Sequence, residues 1–429
     1  MQTKEMLDRK QTPKIVDAVD MQIKLPPYQK YTLDNGVDIF SIDAGEDDVM
    51  MIEWVFTAGV TQEEQKLVAG TTNFLLRNGT TKKNAFQINE YFDYYGAYLN
   101  RSCYSDTATI TLHTLSKHVD KLLPEVRTLI TESVMPEDEL AIFKQNRKQR
   151  LKLNLKKSDF IAGRLIDSYL FGESHPYGRF SSDEDFDALE RDALLRFYEK
   201  YYQQGKLRIF VAGKLPENIN SLLNTYFGDL PFGDIKVKEF PITPAVEKKS
   251  KIINDPNGIQ SSIKIARLFP TKRHPDYAKA YLLNTILGGY FGSRLMMNIR
   301  EDKGYTYGIY SMFANLRQQS AWIISTEAGK EVSDATIAET YKEMKRLREE
   351  PVSNDELNLV RNFIMGLLLG YLNGSFNIIM RWKDMILHHL DESHFYQLVQ
   401  TIQTVTAEEL QELAQKYLQP EDFYELVVV

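Results

Sequence analysis

The spacing of hydrophobic and polar residues along this chain predicts groups of β-strands separated by amphipathic helices. Strand-like segments, several with the alternation of half-buried strands, occur at residues 37–42, 50–57, 107–113, 263–268 and 321–326. Helix-like segments occur at residues 67–77, 85–95, 118–132, 276–287, 334–349 and 355–372. Strands in groups with helices between them favour an α+β fold, in which helices cover largely antiparallel sheets.

The order of these segments indicates a tandem duplication. A charged helix begins near residue 136 and another near residue 353, which is 217 residues later. A helix followed by a strand occupies residues 192–213, and the same pair recurs at residues 408–429, at an offset of 216. Helix–strand pairs are common in α/β proteins. Here, however, two independent segments recur at nearly the same offset and in the same order, which favours duplication.

The composition of the middle of the chain predicts where the two copies join. Glycine and proline residues interrupt regular structure between residues 233 and 258, and a lysine-rich stretch there favours solvent. We therefore expect an N-terminal extension at 1–29, a first domain at 30–232, a linker at 233–258 and a second domain at 259–429. Each domain is expected to be one copy of the duplicated unit.

Composition and charge exclude several classes of protein. Of the 429 residues, 43% are hydrophobic and 26% are charged, which is typical of a soluble globular protein. A formal net charge of −7 argues against a nucleic-acid-binding protein. No hydrophobic run reaches the roughly 18 to 20 residues that span a bilayer, so no membrane association is expected. The polar N-terminus lacks the hydrophobic core of a signal peptide, so we predict a cytoplasmic protein, or an exported one if a signal has been removed.

No familiar catalytic or metal-binding motif is present in the sequence. The single cysteine, Cys103, excludes an internal disulfide, and no neighbouring base marks it as reactive, so we expect an inert thiol. Seven histidines occur, but none lies in an H-E-x-x-H or H-x-x-E-H motif that would place two imidazoles on one helix face. There is also no G-x-S-x-G nucleophile elbow and no G-K-[ST] phosphate loop.

One segment of the second half combines a turn with two strong hydrogen-bond donors. The glycine-rich sequence GGYFGSR at residues 288–294 is followed by Arg300 and Tyr307, which lie seven residues apart across a glycine turn. Both side chains can donate hydrogen bonds to a carbonyl or to a developing oxyanion. Taken alone, the two residues favour the simpler interpretation of a surface arginine and a packed strand tyrosine.

Several segments together resemble the insulinase/pitrilysin family of zinc peptidases, the inverzincins. The similar segments are KLVAGTTNFLLRNGT at 66–80, INEYFDYYGAYLN at 88–100, HPYGR at 175–179 and IFVAG at 209–213. This similarity extends over most of residues 30–429. The resemblance implies two homologous halves, each an antiparallel-rich sheet covered by helices, which together form a clam-like shell.

Residues that the resemblance would assign to zinc binding are absent. The H-x-x-E-H positions of the family fall on Gly70, Asn73 and Phe74, and the third ligand, a glutamate, should fall near Gln149 or Arg150. None of these side chains is the expected ligand or base, so no metal is expected in this chain. Arg300 and Tyr307, in contrast, match the arginine and tyrosine with which the family binds substrate and stabilises the oxyanion.

Some family members divide these tasks between two polypeptides, and this chain resembles the one without zinc. The resemblance therefore implies a zinc-free subunit that supplies Arg300 and Tyr307 in trans, while a homologous partner subunit carries zinc. The expected substrates of the pair are peptides. Two alternatives remain at this point. One is a non-catalytic peptide-binding or scaffold homodimer. The other is an autonomous metallopeptidase, which would contain zinc when purified.

Overall fold

The computed structural model describes residues 16–429 and contains two β-sheets, each formed by one half of the chain. The first sheet has the strand order β1-β2-β6-β3-β5-β4, and the second has the order β7-β11-β8-β10-β9. The strands of the first sheet are β1 (Gln29–Thr32), β2 (Asp38–Asp43), β3 (Val49–Phe56), β4 (Tyr98–Cys103), β5 (Ala108–Leu115) and β6 (Leu207–Gly213). Those of the second are β7 (Lys249–Ile252), β8 (Gln260–Phe269), β9 (Thr306–Ala314), β10 (Ser320–Gly329) and β11 (Tyr424–Val428).

Helices connect the strands in the same order in both halves. The first half contains α1 (Val68–Leu75), α2 (Ala85–Tyr94), α3 (Val119–Glu132), α4 (Glu137–Asn154), α5 (Ser158–Phe171), α6 (Asp183–Asp187), α7 (Arg191–Tyr198) and α8 (Ile219–Phe227). The second half contains α9 (Tyr277–Asn284), α10 (Ser333–Glu349), α11 (Asn354–Tyr371), α12 (Ser375–Leu387), α13 (Glu392–Thr404) and α14 (Ala407–Tyr417). Two π-helical turns, Thr285–Gly289 and Met296–Asp302, follow α9.

Strand pairing in the two sheets supports the predicted duplication. In each sheet a parallel pair, β2 with β6 or β7 with β11, is followed by three antiparallel neighbours in corresponding order, and the first sheet has β1 as an additional edge strand. The registers also correspond, because Glu53 of β3 lies opposite Phe210 and Thr111, while Lys264 of β8 lies opposite Leu426 and Ser325. The α+β fold of two homologous halves is therefore confirmed.

Each half covers one face of the other half's sheet with a helix. Helix α5, from the first half, packs against β8 and β11, whereas α12, from the second half, packs against β2 and β6. As a result, Phe40 and Phe210 of the first sheet belong to the same hydrophobic cluster as most of the second half. The other face of the first sheet packs against its own helices in a separate cluster. This exchange joins the two halves through a continuous core.

Two of the predicted regions, the linker and the N-terminal extension, contain ordered structure. Residues 249–252, within the predicted linker at 233–258, form β7 and pair in parallel with β11. Residues 233–248 contain neither helix nor strand. In the predicted extension at 1–29, Ile23 and Leu25 are buried in the shared core, and residues 1–15 lie outside the described part of the chain.

Within residues 16–429, no individual helix has the length and hydrophobicity needed to cross a membrane. The helices α11 and α12 meet those criteria only when taken together, as a pair bent by 108°.

Candidate functional site

Helix α1 carries the three positions that the resemblance assigns to zinc binding. A buried glutamate, Glu63, holds its N-terminus by accepting hydrogen bonds from the backbone N–H groups of Ala69 at 2.9 Å and Leu67 at 3.3 Å. A carboxylate is favourable there because the helix dipole is positive at this end. Arg179, from the HPYGR segment, donates at 2.7 Å to Oε1 of Glu63, the carboxylate oxygen that also accepts from Leu67. Burial raises the pKa of Glu63, and these hydrogen bonds together with the arginine charge oppose that rise.

Asn73 has a structural role in this helix. Its side chain is 2% exposed, and its amide group donates to the backbone oxygen of Thr109 at 3.2 Å and to the hydroxyl of Tyr202 at 3.0 Å. The amide group therefore donates one hydrogen bond to β5 and one to Tyr202, in the π-helical turn that follows α7. At the 211-residue offset that relates Glu53 to Lys264, Asn73 corresponds to Asn284, which accepts a hydrogen bond from a strand hydroxyl.

Gly70 and Phe74 line a cavity at the exposed side of α1, which we call the α1 cavity. Its volume is about 680 Å³, and a Cβ atom added to Gly70 would meet no atom within 4 Å. The walls combine phenylalanine and arginine side chains from six different elements or loops. The residues used below are Phe74, Phe143, Phe160, Phe180, Arg101, Arg147, Arg164, Arg179, Lys66 and Glu63.

The α1 cavity does not fit a zinc ion. Zinc in proteins is bound by cysteine, histidine or carboxylate ligands in tetrahedral geometry. Here the first ligand position has no side chain, the second residue is an amide engaged elsewhere, and the third is a phenyl ring. Among residues 16–429, no group of three or more such ligands occurs that could hold a metal ion.

The face of α4 that borders the cavity differs from the one expected. Gln149 and Arg150, near which the third ligand was expected, are both exposed and lie outside the cavity wall. Phe143 and Arg147 face the cavity instead, and both contact Phe74. A guanidinium group therefore occupies the side of α4 from which a carboxylate ligand was expected.

Arg300 and Tyr307 lie close together on the second half of the chain. Arg300 lies near the end of the π-helical segment Met296–Asp302, and Tyr307 is the second residue of β9, which is an edge strand of the second sheet. The guanidinium carbon lies 5.7 Å from the centre of the Tyr307 ring and 4.7 Å from that of Phe291. Tyr307 is 92% exposed and the Arg300 side chain is 27% exposed, and Arg300 also pairs with its neighbour Glu301. Both donors are therefore accessible, and neither is locked in the core.

Arg294, in the same segment, has a structural role that contrasts with the position of Arg300. Arg294 makes a two-pronged ion pair with Glu356, with both nitrogen–oxygen distances at 2.9 Å, and its side chain is mostly buried. Arg300 has no comparable buried partner. The contrast distinguishes an arginine that fastens the glycine-rich turn to α11 from one that faces solvent beside an exposed tyrosine.

Cys103 borders the α1 cavity but has the properties of an unreactive thiol. Burial, followed by the charge of Glu63, raises the pKa of this thiol to about 12. A thiol with such a pKa stays protonated at neutral pH and is a poor nucleophile.

Comparison with known proteins agrees with this geometry. Residues 188–364 match the family model described as the peptidase M16 inactive domain. The chain is 24% identical over 350 residues to the uncharacterized zinc protease YmxG of Bacillus subtilis, covering 80% of this chain and 83% of that protein. It is 23% identical over 297 residues to the non-peptidase homolog YmxG of Helicobacter pylori, covering 68% of each.

Two solved structures show the same fold. The peptidase M16 inactive domain from Pseudomonas fluorescens superimposes with a TM-score of 0.85 at 24% identity, covering 94% of this chain and 98% of that one. The periplasmic protease PqqL from Escherichia coli superimposes with a TM-score of 0.78 at 14% identity and covers 99% of this chain, which spans only 49% of PqqL. These structures show the fold, and the predicted family resemblance is confirmed by the matching family model together with the two relatives.

Proposed function

We propose that this chain, a peptidase M16-type protein with the family's inactive domain at residues 188–364, is the zinc-free subunit of a two-subunit metallopeptidase. A homologous partner subunit binds zinc, activates water and supplies the general base. This chain supplies Arg300 and Tyr307 in trans. The substrates are peptides or small unfolded proteins that can enter the chamber between the subunits.

The observation that carries this proposal is the accessible donor pair beside an edge strand. A peptide added to the free edge of β9 would form backbone hydrogen bonds along the strand, which is a common mode of peptide binding. Arg300 and Tyr307 lie at the start of that strand, where they can donate to a substrate carbonyl. Preorganised donors of this kind stabilise a tetrahedral oxyanion, and each is typically worth about 100-fold or more in rate.

The length of the chain supports a paired assembly. PqqL is a single polypeptide about twice as long, and its aligned part covers nearly all of this chain. Two chains of the present size therefore contain as many residues as one such protease. In that arrangement the zinc site and the donor pair can belong to different subunits.

Peptide hydrolysis by a reconstituted complex tests the proposal. The chain is co-expressed with a zinc-bearing M16 relative, and turnover of a fluorogenic peptide is measured for wild type, Arg300→Ala and Tyr307→Phe. Each variant should lower kcat/KM about 100-fold, because each removes one donor to the transition state. Arg300→Lys should recover only part of the loss, since lysine lacks the planar fork of donors.

Tyr310→Phe is the matched control for the tyrosine variant. Tyr310 lies on the same strand and is half exposed, so this variant removes a hydroxyl from β9 without touching the donor pair. It should leave turnover unchanged. Equal turnover for Arg300→Ala, Tyr307→Phe and wild type in an active complex would contradict the assignment of the pair.

A second candidate is a non-catalytic homodimer that binds peptides. The free edges of β4 and β9, one in each half, favour it because either edge can accept a peptide strand without any zinc. Native mass of the purified chain, alone and with the zinc-bearing relative, separates the two. A stable homodimer that ignores the relative supports the scaffold, whereas a one-to-one complex supports the two-subunit peptidase.

A further inference from the structure

The α1 cavity contains more positive charge than its neighbours neutralise. Five cationic side chains border it, and two of them have carboxylate partners: Arg179 pairs with Glu63 at 2.7 Å and Lys66 with Asp185 at 3.2 Å. The other three are Arg101, Arg147 and Arg164. Within residues 16–429, none of these three has a carboxylate oxygen within 4 Å. The cavity wall is therefore strongly positive.

Aromatic rings hold the three unpaired guanidinium groups in place. Arg101 lies over Phe74 at 4.7 Å, and Arg147 lies over both Phe74 at 5.5 Å and Phe143 at 5.1 Å. Arg164 similarly lies over Phe160 and Phe180, with its guanidinium carbon 5.3 Å and 4.3 Å from the respective ring centres. Cation–π stacking uses the flat face of a guanidinium and leaves the N–H groups at its edge free to donate.

Few of those N–H groups are used within the protein. Arg101 donates to the backbone oxygen of Phe74 and to the side chain of Asn78, and Arg164 donates to the backbone oxygen of Ser181. Arg147 makes no hydrogen bond to any of residues 16–429 that the structure describes. A ligand in the cavity therefore meets a guanidinium fork that no protein group occupies.

Burial of these charges is costly without a counter-ion. The pKa of Arg101 is lowered to about 10, first by burial and then by the nearby charge of Arg77. Burial also lowers the pKa of Arg147 and of Arg164. Because the charged form of a buried group is disfavoured until it is paired, an anion that enters the cavity gains from all three groups.

The position of the cavity indicates what kind of anion it accepts. Asn100, Arg101 and Cys103 line it, and all three belong to β4, the edge strand of the first sheet. A peptide that adds to this edge brings alternate side chains, or its end, to the cavity. The volume of about 680 Å³ lies within the range of about 300–1,000 Å³ typical of ligand pockets.

We propose that the α1 cavity binds a peptide carboxylate, from an acidic side chain or a C-terminus, through Arg147 with Arg101 and Arg164. The cavity lies where the resemblance places zinc, and the missing histidine at Gly70 leaves room for the ligand. In this half of the molecule, peptide recognition by guanidinium groups therefore takes the place of metal chemistry. The site is independent of Arg300 and Tyr307 and needs no partner subunit.

Binding of labelled peptides to the purified full chain tests this site. The probes are an acidic peptide with a free C-terminus, its glutamine-substituted version, and the acidic peptide with a C-terminal amide. The acidic peptide should bind at least tenfold more tightly than the glutamine version, the amide or both, and its affinity should fall as salt is raised. The pattern among the three identifies which carboxylate is bound. Equal affinity for all three would overturn the proposal without any variant of the protein.

A pair of arginine variants on one helix locates the site. Arg147→Gln removes the guanidinium that no other group engages, so it should weaken acidic-peptide binding about tenfold or more with little change in thermal stability. Arg150→Gln is the matched control, because Arg150 lies on the same helix but is exposed and outside the cavity. It should bind like wild type. Equal loss in both variants would indicate a non-specific charge effect and overturn the assignment.

Inorganic phosphate serves as the competitor that distinguishes a peptide site from a small-anion site. Displacement of the acidic peptide only at millimolar phosphate supports a peptide carboxylate as ligand. Displacement at micromolar phosphate would overturn it, since the cavity would then be a site for a free oxyanion.

Discussion

At the scale of single residues, both halves place an acid and a base at corresponding positions between a sheet and the helix that covers it. Glu53 of the first sheet pairs with Lys383 of α12 at 2.6 Å, and both are largely buried. The corresponding residues of the other half are Lys264 on β8 and Asp167 on α5, so acid and base have changed places. Lys264 instead donates to Ser325 at 2.5 Å, and its charge only partly stabilises the carboxylate of Asp167.

This incomplete pairing predicts a pH-dependent stability. Burial raises the pKa of Asp167 from 3.8 to about 6, against the opposing effect of Lys264. A raised carboxyl pKa means that the folded state holds its proton more tightly, so stability is lost as pH rises from about 4 to about 6. The difference corresponds to about 3 kcal/mol of unfolding free energy lost above pH 6.

Urea unfolding of Asp167→Asn between pH 4 and 7 measures this contribution. The variant should lack the loss seen in wild type and should be the more stable protein at pH 7. Asp159→Asn, which is exposed on the same helix, controls for the removal of one negative charge. Parallel pH profiles for wild type and Asp167→Asn would contradict the assignment.

At the scale of secondary-structure elements, the ion pair between Glu53 and Lys383 stabilises the packing of α12 against the first sheet. Thr111 adds a hydrogen bond to the same carboxylate at 3.3 Å. Lys383→Met leaves Glu53 buried without its cation, which should cost about 3–5 kcal/mol of unfolding free energy. The measurement is urea unfolding at pH 7.

A double substitution separates the lost pair from lost packing. Glu53→Gln combined with Lys383→Met removes both charges, so it should recover much of the loss caused by Lys383→Met alone. A loss below about 1 kcal/mol for the single variant, or no recovery in the double variant, would show that the pair is not what holds α12.

Most elements could be predicted from the sequence because periodicity directly reports which residues face a core. The predicted strand at 107–113 is β5, and the predicted helix at 67–77 contains α1. The short strand β7 was missed because four residues rich in lysine carry no alternating hydrophobic pattern. The exchange of α5 and α12 was also missed, since a hydrophobic helix face does not specify which sheet it will cover.

The candidate site was predictable only where one local motif defines it. Arg300 and Tyr307 lie within a single turn-and-strand segment, so the resemblance carried by that segment was enough to select them as a pair. The α1 cavity is built from β4, α1, α4 and α5 together, and no local spacing links Arg101 to Arg147 or Arg164. The side of α4 that faces the cavity depends on the rotation of that helix against Phe74, which places Arg147 inward and Arg150 outward.

At the scale of the whole molecule, the exchanged helices make the two halves dependent on each other. The face of the first sheet that contains Phe40, Met51 and Phe210 packs into the cluster shared with the second half. In return, Ile166 and Leu170 of α5 pack with Leu426 and other residues of the second sheet. The two sequence repeats therefore do not correspond to two independent folding units, because each half lacks a helix to cover one face of its own sheet.

A fragment of residues 16–232 tests this dependence. It retains the first sheet and α5 but loses α12, so a large hydrophobic face of the sheet and the hydrophobic side of α5 are both exposed to water. At about 25 cal/mol per Å² of uncovered apolar surface, the loss exceeds the few kcal/mol by which domains are stable. The fragment should therefore aggregate or unfold without cooperativity, as measured by size-exclusion chromatography and urea titration.

Co-expression with residues 233–429 should restore a cooperative one-to-one complex, because α5 and α12 then regain their sheets. A monomeric fragment that unfolds cooperatively by itself would show that the exchange is dispensable and that each repeat carries its own core.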